Sequence, residues 1–139
     1  MIIFSLKTFV PGKENSQPHF FILNRGLNSG KPLRKPCPNC FVLSSQSEEE
    51  KDQLYWLIYG LWQTKAFHFY LRGSVIPFIT ISELRKCIRL AADKALEDSS
   101  KFTKVVDTLQ KLNQLEQVYQ KNMEVIKITR KSLFYQYFP

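Results

Sequence analysis

CFVLSSQSEEEKDQLYWLIYGLWQ, residues 40–63, changes its hydrophobic period part-way along, and that change sets the fold class. Cys40 to Ser45 is a short run of apolar, aromatic and β-branched residues and reads as a strand. Ser47 follows, with Glu48, Glu49 and Glu50 directly behind it. A hydroxyl at the N-cap, a glutamate three residues on and three acids in the first turn mark a helix start. Beyond it Leu54, Leu57, Ile58, Leu61 and Trp62 recur at three-and-four spacing, and Tyr55, Trp56 and Tyr59 widen the stripe. A strand and an amphipathic helix in immediate succession call for a mixed fold.

Upstream, MIIFSLKTFV and HFFILN read as two more strands, separated by the turn sequence PGKENSQP. Residues 25–38 read as irregular, because Pro32, Pro36 and Pro38 remove backbone donors and restrict the residues before them. Downstream, AFHFYLRG and SVIPFITI are expected as strands around Gly73. Thr80 and Glu83 then open a second capped helix, SELRKCIRLAADKALED. From about 100 to 137, Phe102, Val105, Leu109, Leu112, Leu115, Tyr119, Met123, Ile126, Leu133 and Tyr137 keep helical spacing. A helix of roughly 50 Å at 1.5 Å per residue exceeds what a small body can cover, so it is expected to protrude and pair. The expected class is α+β: a small, mostly antiparallel sheet with packed helices and a long C-terminal helix. Residues 1–98 form the α+β domain, and 99–139 the helix used for oligomerisation or partner docking.

The chain has 139 residues, 44% of them hydrophobic and 14% aromatic, enough for one real core. Its net charge is +8, and the first 36 residues carry six Lys and Arg against the single acid Glu14. A regional basic excess points to a polyanionic partner. The N-terminus has no charged stretch ahead of its apolar run and no small-residue cleavage site, and no stretch approaches the length of a membrane span. Three cysteines, an odd number and far apart but for one pair, make no disulfide framework. The expected location is the cytoplasm, with no membrane partner.

Several motifs carry competing chemistry. Gly26-x-x-x-Gly30-Lys31-Pro32 imitates a phosphate loop, but it is one residue short and has proline where a magnesium-binding hydroxyl belongs. Cys37-Pro-Asn-Cys40 is half of a zinc site, and Cys87, His19 and His68 supply no second pair at ligand spacing. As a redox motif it lacks the preceding strand and the helix N-terminus that lower a thiol pKa. The expectation is a turn with packed thiols and no metal. No Ser/His/Asp set or carboxylate pair stands out, so neither catalysis nor a cofactor is expected. What remains is a basic segment with polar readers: Asn24, Arg25, Asn28, Ser29, Lys31, Arg34 and Lys35, with Lys65 and Arg72 from the central region. Lysine and arginine neutralise phosphates, while arginine, asparagine and serine can read base edges.

NSGKP in a loop, DQLYWLIYGL as a helix and LRGSVIPFITISEL leading into the next element resemble the target-recognition domain of type I restriction specificity subunits. The ending ITRKSLFYQYF resembles the end of their long helices, and the resemblance runs over about residues 22–137. It implies sequence-specific binding of duplex DNA, with methylation and cleavage left to partner subunits. Those subunits carry two such units whose long helices pack antiparallel, whereas this chain has one, which implies a homodimer or a helix-mediated partner. PHFFILNRGLNSGKPLRKPCPNCFVL with GLWQTKAFHFYLRGSVIPFI more closely resembles a small family of unknown function from Bacteroides-type genomes and their mobile elements. The reading is a non-enzymatic DNA-recognition module. The alternative is a structural or protein-interaction module, with zinc at Cys37 and Cys40 as one form of it.

Overall fold

The fold is α+β, given by a computed structural model that describes residues 1–138. Four strands, β1 (Phe4–Thr8), β2 (His19–Leu23), β3 (Pro32–Leu33) and β4 (Cys40–Ser45), form an antiparallel sheet in the order β1-β4-β2-β3. Three helices follow: α1 (Glu48–Gln63), α2 (Ile81–Leu96) and α3 (Ser99–Tyr135). The chain divides into the units Met1–Thr103 and Lys104–Pro139.

Strand register sorts the side chains. Leu6 stands opposite Leu43, Leu43 opposite Phe20, and Phe41 opposite Ile22, so all five occupy one sheet face. Leu54 and Ile58 of α1 and Leu84 and Ile88 of α2 close over that face and are fully buried with it. Each such side chain contributes about 2 kcal/mol through removal from water. Both helix starts are capped as their sequences predict. The Ser47 hydroxyl accepts from the Glu50 amide at 3.2 Å, and the Thr80 hydroxyl from the Glu83 amide at 3.4 Å. β1 lies at the sheet edge, where Arg85 and Arg89 of α2 donate to the Leu6 and Ile2 carbonyls at 3.0 and 2.8 Å. Cationic side chains on edge carbonyls block further strand pairing.

Two expectations are corrected. Ala66–Tyr70, expected as part of a strand, is a short 3-10 helix, and residues 71–79 make only isolated bridges, Arg25 with Phe78 and Arg72 with Phe78. The reason is that Phe67 alone of this aromatic run is buried, while Phe69 is 89% exposed. A single anchor in five residues gives period-two burial nothing to act on. Within the segment expected to be irregular, Pro32 and Leu33 pair with β2 as an edge strand, a place where proline is tolerated.

Candidate functional site

The basic segment is built on a turn that consumes its own backbone. The Gly26 amide donates to the Pro77 carbonyl, Ser29 to Gly26, Gly30 to Leu23 and Lys31 to Asn28, over 2.6–3.1 Å. None of these amides is left to cradle a phosphate, so the Gly26–Lys31 stretch is a structural turn. Ser29 is buried, and its hydroxyl donates to the Gly26 carbonyl at 2.6 Å. It stabilises the turn and is not presented to a base edge.

The cations that leave this turn settle on α1. Tyr55, Trp56, Tyr59 and Trp62 form a continuous series along the helix, two contacts edge-to-face and the last tilted, with ring centroids 5.2–5.8 Å apart. Arg34 lies over Tyr55 with its guanidinium carbon 3.7 Å from the ring centroid, and the Lys31 ammonium sits 5.1 Å from that of Trp62. Stacking on a ring fixes the guanidinium plane and leaves its N–H edge free to donate. Lys65 follows α1 in a left-handed conformation at φ 60°, donating its amide to the Trp62 carbonyl, and its side chain is exposed. Lys31, Arg34 and Lys65 therefore gather along one helix.

The other expected residues lie apart from that row. Asn24 engages its backbone with Asn39 and Ile79, while Arg25 is exposed beside the bridge to Phe78. Asn28 and Lys35 are exposed. Arg72 is occupied: it forms a two-pronged ion pair with Glu83 at 2.6 and 3.3 Å. Hydrogen bonding to Arg72 holds the Glu83 carboxyl below its ordinary range. No acid pairs with Arg25, Lys31, Arg34, Lys35 or Lys65 among the described residues. The aromatic series itself was read in the sequence only as a wider core stripe. Its signal was the placement of Tyr55, Tyr59 and Trp62 at four-and-three spacing just outside the Leu54–Ile58 line.

The cysteine pair spans a bend that leads into β4. Cys40 is buried, and its thiol donates to the Cys37 carbonyl at 3.0 Å. Burial, with the Cys37 thiol beside it, pushes the Cys40 thiol above its ordinary pKa, the opposite of what a redox nucleophile needs. Among the described residues no three His, Cys, Asp or Glu side chains are grouped to hold a metal ion.

The family of unknown function DUF6943 matches residues 6–136. The chain belongs to that family. Neither the curated proteins nor the solved structures contain a match to it. The family match covers nearly all of the sheet, the basic segment, α1 and α3, so these elements are common property of one family unit. Among the described residues no helix is long and apolar enough to cross a membrane.

Proposed function

We propose that the chain is a non-enzymatic DNA-recognition module that meets duplex phosphates with its basic segment and pairs through α3. The observation that carries this reading is the stacking of Arg34 and Lys31 on the aromatic series of α1. Side chains held in place before binding lose less entropy when a ligand arrives. Arg25, Lys35 and Lys65 add exposed charge, and Asn28 is the exposed amide able to reach a base edge. The resemblance to specificity-subunit recognition domains supports the same assignment. A fluorescently labelled duplex titrated at low salt should bind the parent chain and bind Arg34→Gln more weakly. Absence of binding by the parent rejects the reading.

The pairing rests on α3. Val105, Leu112, Tyr119, Ile126 and Leu133 repeat every seven residues, and Phe102, Leu109, Glu116, Met123, Arg130 and Tyr137 form the companion series. A seven-residue repeat of this kind is the seam of a paired helix. Leu112, Tyr119, Met123, Ile126 and Leu133 are each at least half exposed. Two charges interrupt the seam, Glu116 and Arg130. A parallel, in-register pair sets each against its own copy, whereas an antiparallel pair brings opposite charges together. Charge complementarity thus selects a second copy, antiparallel. The same exposed series favours one other reading, a module that docks a helix of a different protein; a homogeneous self-associated chain argues against it.

A further inference from the structure

The sheet has a second face, turned away from the core. There two rungs lie in register, Ser5–Ser44–His19 and Lys7–Val42–Phe21. The connection between β1 and β2 folds over them. Phe9 meets Phe21 edge-on with centroids 5.5 Å apart, and Asn15 donates its side-chain amide to the Ser44 hydroxyl at 2.5 Å. Between these two points the connection and the sheet bound a half-open cavity of about 320 Å³. That is the small end of the range of roughly 300–1,000 Å³ in which ligand pockets fall.

The walls divide by chemistry. Phe9, Phe21 and Val42 supply an apolar side, and Lys7 and Lys13 supply ammonium groups. Glu14 also lines the cavity, so two cations stand against one acid. His19 packs edge-on against Phe21 at 5.5 Å, and its Nδ1 stands 2.8 Å from the Gln17 carbonyl. A carbonyl only accepts, so Nδ1 carries a proton in this contact. Phe9 and His19 thus both meet Phe21 edge-on, and a ligand ring placed against this side would gain the same kind of aromatic contact. An inorganic anion alone has no use for the apolar side, and a neutral ring has none for the lysines.

We propose that this cavity binds a small planar aromatic carboxylate, its ring against Phe9 and Phe21 and its carboxylate between Lys7 and Lys13. The site is separate from the basic segment and does not depend on the DNA reading. The test is a titration of the full-length, isotope-labelled chain with indole-3-carboxylate, followed residue by residue in amide NMR spectra. Its uncharged counterpart, indole-3-carboxamide, and inorganic phosphate are titrated in parallel. Saturable shifts are expected at residues 7, 13–17 and 42–44, with the carboxamide about tenfold weaker because it forms no charge-assisted contact. Lys7→Gln and Lys13→Gln, both at exposed positions, should each weaken the carboxylate about fivefold and leave the carboxamide unchanged. Lack of saturable shifts at those residues overturns the proposal. So does equal affinity for the carboxamide, or phosphate giving the same shifts at the same affinity. The comparison of the three small molecules decides the matter on the unaltered chain, whatever a variant does to folding.

Discussion

Gly30 is held at φ +99°, and a Cβ there would fall inside the buried ring of Phe67. A left-handed backbone costs an L-residue about 1–2 kcal/mol, and overpacking a core position about 1–3 kcal/mol. Gly30→Ala should therefore lower the unfolding free energy by about 3 kcal/mol in urea titrations, with loss of the turn beneath Lys31. Glu83 makes a milder prediction. Its folded pKa lies below the ordinary value, so its bond to Arg72 stabilises the fold above the ordinary carboxylate pKa and is lost as pH falls through the depressed value. The urea midpoints of the parent and Glu83→Gln should differ at neutral pH and converge in acid, and salt should shrink the difference because the pair is solvent-accessible. At this scale the sequence was legible where a residue type has one use. The caps at Ser47 and Thr80 were of that kind. Ser29 was not, because whether a hydroxyl faces its own turn or a ligand depends on a backbone path that residue type does not encode.

α1 shows why elements with both a start signal and a period can be read directly. Ser47, the three acids and the Leu54–Ile58 face all agree on one helix. Ser47→Ala removes the hydroxyl that accepts from Glu50 and should cost about 1 kcal/mol by thermal or chemical denaturation, with the helix otherwise retained. The same agreement is lacking over residues 66–79. There aromatic and β-branched residues favour a strand locally, yet their partners are not available: β3 is two residues long and ends the sheet on that side. Tertiary context overrides propensity for such segments. The exposed Val75, Ile76 and Phe78 follow from it, since a strand would have buried alternate members. The aromatic series of α1 was hidden for a related reason. Rings that stack on one another and on cations have the same helical spacing as rings that enter a core.

Across the whole molecule, the proposed antiparallel pairing of α3 is testable through its orientation. A nitroxide label placed at Lys104 in a cysteine-free background should report label pairs about 57 Å apart in an antiparallel dimer that sets Glu116 against Arg130, from the 1.5 Å rise per residue. A short distance, near that of adjacent helices, means parallel pairing and removes the argument from Glu116 and Arg130. Polar substitutions at Leu112 and Ile126 should dissociate the proposed dimer in sedimentation, because each side chain contributes about 2 kcal/mol on burial. In the proposed DNA contact, charge acts through its placement in the basic segment and not through the total of +8. The measurement is a salt titration of duplex DNA binding by two matched triple variants. One replaces Lys31, Arg34 and Lys35 with glutamine; the other replaces Lys94, Lys101 and Lys111. The first should lose affinity for all sequences and flatten the logarithmic salt slope by about 0.9 for each phosphate contact removed, while the second stays close to the parent. Equal losses in the two variants would contradict the account.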